Sequence, residues 1–341
     1  MLNQSQHLVF GAGLIGGYLA GGLLNAGLKT SLVARKSVQD AMADGLTISD
    51  FLGNQTILNS PQFIDSTNNQ EIQFNFIWLT VKCTAVRAVC KELENFISKN
   101  TIIICCQNGL DSDQIIKQAF PNNLVLKAIV GFNVAEPEAG HLHRSTDGKL
   151  VIEFNQHTNE LAERLNSVLL PTTISDQMLA EQWAKLQLNL ANPVNALADI
   201  PVKTMTEDAG YRKIIAALML ELLTVSDAMQ LELPKVTAAP AHWIPRLMLL
   251  PNWVFKLLAQ KMLAIDPTAR ASMWWDLTTG RKTEIDYLNA AVVDKGNSLG
   301  IDCPVNRNIV ELIRLVEDRK NNIGISAKNL TSLLFKQPND A

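Results

Sequence analysis

At 341 residues the chain is longer than one hydrophobic core usually serves, so two domains are expected. Its 47% hydrophobic and 18% charged residues give each half a sizeable core, and a formal net charge of −3 lacks the basic footprint of a nucleic-acid binder. The five cysteines, Cys83, Cys90, Cys105, Cys106 and Cys303, are odd in number and form no C-x-x-C pair, which argues against a disulfide framework and against a zinc site or other metal centre.

The first predicted strand is the apolar run Leu8-Val9-Phe10, which leads straight into Gly11-Ala12-Gly13-Leu14-Ile15-Gly16. This is the G-x-G-x-x-G spacing that lets a strand turn tightly into a helix with no side chain in the way of a pyrophosphate. Backbone N–H groups at the N-terminus of the following helix would meet the phosphates. No Lys or Arg precedes Leu8 to form the charged start of a signal peptide, so a cytoplasmic location is expected. The second strand, around residues 29–34, decides which dinucleotide is bound. A chain built for NAD usually ends it with a carboxylate for the ribose 2′-OH. Here it ends with Arg35, followed by Lys36 and Ser37, which suits the 2′-phosphate of NADP.

Beyond Arg35 the pattern predicts a short helix over 38–43, strands near 46–48 and 56–58, and a polar loop at 66–70. A buried strand follows at 74–80, then an amphipathic helix over 85–97 and another buried strand at 101–106, with Cys105 and Cys106 as inert core thiols. This βαβ rhythm implies a parallel sheet. Residues 125–130 continue it, 131–154 read as a short antiparallel extension, and a helix over 160–169 closes the first domain. The fold class is therefore α/β: a Rossmann-type domain over 1–175, then an all-helical domain over 176–335. Helices are expected at 179–190 and 210–229, in the 243–265 region, and along the 3.6-period run Ile285, Leu288, Val292, Leu299. The 243–265 region is interrupted too often by Arg246, Pro251, Asn252, Lys256 and Lys261 to span a bilayer, so no membrane partner is expected. A lid, a core helix and an interface all fit it, and a homodimer stays open.

A hydride delivered to a carbonyl leaves negative charge on oxygen, so the second domain should supply a proton donor and neutral hydrogen-bond donors. Lys185, Asn189 and Asn192 stand at i, i+4 and i+7 and would share one face of a helix. A lysine with an ordinary pKa near 10.4 is a filled proton donor at neutral pH. Ser272 and Asp276 are i, i+4 neighbours. Thr283-x-x-Asp286 has the spacing of a capping box for the last long helix, with Glu284 in its first turn.

These segments together resemble the ketopantoate reductase (2-dehydropantoate 2-reductase) family almost end to end. The resemblance is carried by Gly11-Ala12-Gly13-Leu14-Ile15-Gly16, Arg35, Thr80-Val81-Lys82, Gln107-Asn108-Gly109-Leu110, Lys185-Leu186-x-x-Asn189, Ser272-Met273 and Thr283-Glu284-Ile285-Asp286-Tyr287-Leu288-Asn289, in that order. It implies NADPH as donor and a 2-oxo acid as substrate, most simply 2-dehydropantoate on the way to pantothenate. It also implies Lys185 as general acid and Glu284 as a partner aligning cofactor and substrate. Ser272, Asn189 and Asn192 would bind the substrate, and Lys82 and Asn108 would sit beside the cofactor. Against the family pattern, Asn192-Pro193 falls one residue early, which leaves Asn195 as an alternative to Asn192. Residues 234–269 are longer and more apolar than in compact members, and Trp274-Trp275 is bulky beside Ser272. A reductase of another branched 2-oxo acid and a non-catalytic NADP-binding sensor are the competing readings.

Overall fold

The computed structural model describes residues 4–66, 72–259, 266–319 and 321–335. The chain divides after Met178 into two compact units.

The first unit is built on strands β1 (Gln6–Phe10), β2 (Lys29–Val33), β3 (Leu46–Asp50), β4 (Gln55–Leu58), β5 (Gln62–Phe63), β6 (Phe76–Leu79), β7 (Ile102–Cys105), β8 (Val125–Val130), β9 (Val134–Glu138), β10 (His141–Arg144), β11 (Leu150–Glu153) and β12 (Thr172–Ser175). Eight of them form one sheet in the order β12-β11-β8-β7-β6-β1-β2-β5. From β8 to β5 every pairing is parallel, and β11 runs antiparallel to β8. Parallel strands carry helices on both faces and read as continuous apolar runs. Accordingly Val9, Trp78 and Ile104 feed one core, while Leu8, Ile77 and Ile103 feed the other. Cys105 and Cys106 are buried within this sheet as expected.

One expectation is corrected here. Residues 131–154 are not one extension of the main sheet: only β11 joins it, and β9 and β10 leave it for a second sheet of order β4-β3-β10-β9. Helix α1 (Leu14–Asn25) explains the separation. A Cβ at its Gly17 would lie 2.6 Å from Leu142 on β10, and one at Gly21 would lie 2.5 Å from Ile48 on β3. Those mid-helix glycines therefore serve close packing of α1 against the second sheet, and the ligand-facing role belongs to the first turn. Helices α2 (Lys36–Ala41), α3 (Val86–Leu93), α4 (Ser112–Ala119) and α5 (Asn159–Leu165) complete the unit, α4 and strands β5 and β12 being additions to the elements expected. The expected loop at 66–70 falls mostly outside the described residues.

Every described regular element of the second unit is helical: α6 (Met178–Asn189), α7 (Asn192–Ala198), α8 (Val202–Glu207), α9 (Ala209–Ala228), α10 (Ile244–Met248), α11 (Asn252–Leu258), α12 (Ser272–Thr278), α13 (Asn289–Ser298), α14 (Pro304–Glu317) and α15 (Ala327–Leu334). The 20-residue α9 is the hub, capped by Asp208 and packed against α8, α10, α13, α14 and α15. The predicted capping box does not form. Thr283 Oγ1 accepts from the N–H of Ile285 within a tight turn, and α13 begins only at Asn289 because Leu288 holds a non-helical φ of −108° and ψ of −98°. The last part of the apolar stretch, residues 260–265, lies outside the described residues.

Candidate active site

The glycine-rich turn, Arg35, Lys82 and Asn108 all lie at the C-terminal ends of adjacent parallel strands, where open α/β sheets bind their ligands. The turn follows β1 and is fixed against β2, since Gly11 and Ala12 both donate to the Val33 carbonyl. Gly11 has a φ of +96°, and a Cβ there would lie 2.5 Å from Val81 Cγ1 and 2.8 Å from its backbone nitrogen. At Gly16 a Cβ would lie 2.4 Å from Thr80 Oγ1, so only glycine lets α1 approach the loop after β6. Gly13 is different: it is the N-cap of α1, no side chain caps the helix, and a Cβ there would meet nothing within 4 Å. Leu14 is exposed and Ile15 half-buried at the start of the helix, with Ala12 buried beneath. A helix N-terminus with open space before it fits a pyrophosphate.

Arg35 is the N-cap residue of α2, exposed, and its guanidinium makes no ion pair among the described residues, whereas neighbouring Lys36 pairs with Asp40 at 2.8 Å. A cation at the end of β2, with no carboxylate beside it, fits the 2′-phosphate that distinguishes NADP. Lys82 is exposed and Asn108 half-buried on the loops after β6 and β7. Cys83 Sγ donates to the Asn108 carbonyl at 2.9 Å and joins the two loops. Two supporting residues carry no such signal in the sequence. Thr80 Oγ1 donates to the Gly11 carbonyl at 2.9 Å, and Gln107 Nε2 turns back to the Leu79 carbonyl at 2.7 Å, so each locks a loop to a strand end.

In the second unit Lys185 and Asn189 occupy one face of α6, both half-buried. Asn192 is not on that helix. The chain breaks at Leu190 and Ala191, and Asn192 opens α7, where Pro193 has no N–H to donate to the Asn189 carbonyl and carry α6 onward. The shared face therefore holds two of the three residues expected on it. Asn195 is fully engaged in structure: its Nδ2 donates to the Ile200 carbonyl at 2.8 Å and its Oδ1 accepts from the Ala271 N–H at 2.9 Å. That second bond fixes the start of α12, where Ser272 stands exposed. Asp199 reinforces the junction through Arg270 at 2.9 Å and the Trp274 indole at 2.6 Å. The bulky Trp274 is thereby committed to holding α12 on α7. Glu284 is buried at the N-terminus of the Ile285–Tyr287 turn. Asp286 faces outward to Arg314. One turn before Lys185, Glu181 shares its face of α6, and burial pushes its carboxyl above the usual range. The i, i+4 spacing was visible in the sequence, although its burial was not.

Comparison with known proteins decides the family. Sequence models described as ketopantoate reductase PanE/ApbA and its C-terminal domain match residues 7–156 and 177–317. The chain belongs to the ketopantoate reductase family. It is thus an NADP-dependent oxidoreductase, and at the level of the family it reduces 2-oxo acids. Among curated ketopantoate reductase relatives, the 2-dehydropantoate 2-reductase of Archaeoglobus fulgidus is 24% identical, over 91% of this chain and 97% of its own. An uncharacterized oxidoreductase of Bacillus subtilis is 25% identical over 92% and 99%. The crystal structure of a PanE/ApbA family ketopantoate reductase from Ralstonia eutropha superposes with a TM-score of 0.75 and 26% identity, covering 93% of this chain and all of that one. D-mandelate dehydrogenase, solved with NADH and anilino(oxo)acetate, shares the fold at a TM-score of 0.74 and 20% identity, covering 93% and 100%.

Proposed function

We propose that the protein reduces 2-dehydropantoate to pantoate with NADPH, in the cytoplasm, as a step of pantothenate synthesis. The observation that carries this reading is the pairing of Lys185 and Asn189 on one face of α6, with Ser272 held at the start of α12 by Asn195 on the adjacent α7. All five thiols are free, which suits a reducing compartment.

NADPH, when bound, supplies the hydride to the carbonyl carbon. Lys185 donates a proton from Nζ to the carbonyl oxygen as charge develops there, so the oxo acid gains one hydride and one proton and leaves as the 2-hydroxy acid. Asn189 Nδ2 donates to the same polar end of the substrate, and Ser272 Oγ donates to its carboxylate or hydroxyl. Asn192, whose amide has no partner among the described residues, is the better candidate than Asn195 for a further substrate contact. Glu284 orients the ammonium of Lys185. On the cofactor side, the backbone from Gly11 to Gly16 would receive the pyrophosphate, Arg35 would hold the 2′-phosphate, and Lys82 and Asn108 would contact the rest of the cofactor.

The test is NADPH oxidation followed at 340 nm with a panel of 2-oxo acids. The reading requires the highest kcat/KM for 2-dehydropantoate. A higher value for another branched or larger 2-oxo acid would reassign the substrate and leave the reaction class unchanged.

A further inference from the structure

Residues 233–259 carry three cations, Lys235, Arg246 and Lys256, and no Asp or Glu, in a chain whose net charge is −3. Within this stretch α10 and α11 turn Ile244, Pro245, Met248 and Phe255 inward. A surface helix ordinarily shows water its polar face. These helices and the residues that flank α10 show Trp243 (55% exposed), Leu249, Trp253 (75%), Leu257 and Leu258. Trp253 and Leu257 are i, i+4 neighbours and form one ridge. Between them lies Lys256, which is half in solvent and 3.6 Å from Glu207, while the Arg246 guanidinium sits 5.6 Å from the Trp243 ring.

The apolar side chains are held outward from below. Arg212 is fully buried, and it donates to the carbonyls of Met248 and Leu250 and to Asn252 Oδ1, with its guanidinium 4.2 Å from the Phe255 ring centroid. The backbone of α10 and α11 is therefore fixed, and the outer side chains have no route into the core.

We propose that this face docks on an anionic lipid bilayer, with α10 and α11 lying in the plane of the interface. Tryptophan rings suit the headgroup level, the leucines suit the acyl boundary, and Arg246 and Lys256 complement lipid phosphates. A second copy of the chain suits the face less well, because it would bring the same excess of cations into one buried contact. The docking is peripheral: no helix among the described residues is long and apolar enough to cross a membrane.

The experiment is co-sedimentation of the full-length protein with phosphatidylcholine vesicles, with and without phosphatidylglycerol. Two double variants are compared, W253S/L257S and R246E/K256E, both at exposed positions and both checked for unchanged circular dichroism and melting. The proposal expects the wild type to pellet only with the anionic vesicles, with a blue shift of tryptophan emission and release by added salt. Each variant should lower the partition coefficient roughly tenfold or more. Wild-type protein that stays in the supernatant with both vesicles overturns the proposal, as does equal partition of wild type and variants. A wild-type dimer in the ultracentrifuge that W253S/L257S converts to monomer also overturns it and assigns the face to a second copy.

Discussion

Lys185 and Arg35 carry the two halves of the proposed chemistry, and each can be separated from the other by a single substitution. Lys185→Ala should lower kcat by about 10²–10⁴-fold, the usual scale of general acid catalysis, with NADPH affinity intact by fluorescence titration. Lys185→Arg should restore little, since a guanidinium with a pKa above about 12 is a poor proton donor. Near-normal kcat in Lys185→Ala, with a deuterated cofactor showing hydride transfer to be rate-limiting, would remove Lys185 from the role. Arg35→Ala should weaken NADPH about 10- to 150-fold, the loss of one charge-assisted contact of roughly 1.5–3 kcal/mol, and leave NADH nearly unchanged. Equal use of NADPH and NADH by the wild type would contradict that role. His7 gives a prediction for stability. Its Nδ1 accepts the Trp78 indole N–H at 3.2 Å, its Nε2 pairs with Ser5 Oγ at 2.9 Å, and its ring stacks on Phe76. Burial, with a smaller contribution from Arg164, holds its pKa down to about 3. The unfolded ring takes up a proton near pH 6.5 and the folded ring does not. Stability is therefore complete above pH 6.5 and declines as pH falls toward 3, by about 2 kcal/mol at pH 5. Urea titrations at pH 7 and pH 5 should show this loss reduced in His7→Gln, and an equal loss in both proteins would place the acid sensitivity elsewhere.

Arg212 organises a set of elements. Besides the bonds to α10 and α11, its Nη1 donates to the carbonyls of Thr206 and Glu207 at 3.1 Å, so one side chain ties α8, α9, α10 and α11 together. Arg212→Met would fill part of the volume but leave several buried carbonyls without donors. The expected cost is about 3 kcal/mol or more in urea unfolding, with early proteolytic cleavage in 244–258. Unfolding at the wild-type midpoint would show that water replaces the lost donors. Such a knot is invisible in sequence, because its partners are backbone carbonyls and one side-chain amide up to 40 positions away. Local signals fared better. The strand–glycine turn–helix unit and the central strands were legible because periodicity and turn chemistry act over a few residues. The second sheet was not, since the parallel pairing of β10 with β3 joins His141 to Thr47 across the length of the domain. Nor was the separation of Asn192 from Lys185 recognised, although Pro193 beside it carried the signal for a new helix. The α14 helix was also readable, with Pro304 at its start and Val305, Ile309, Leu312 and Ile313 on its buried face. The expected helical run through Ile285 and Leu299 is instead interrupted by a turn at Leu288.

For the whole molecule, the βαβ rhythm of the first half and the helical pattern of the second rightly indicated an α/β region followed by helices, and the motif order indicated the family. One consequence of the sheet order concerns synthesis. Of the strands in this sheet β1 comes earliest in the sequence, yet it lies inside the sheet, between β2 and β6. Its pairing with β2 can form as soon as α1 has followed. The other edge of β1 must wait for Phe76, the first residue of β6, which at typical translation rates takes on the order of 3–13 s. During that interval an apolar strand edge stands open to any neighbouring nascent chain, the configuration most prone to mispairing. Slow decoding between β2 and β6 would prolong the exposure, and a chaperone that covers Leu8, Val9 and Phe10 would shorten its effect.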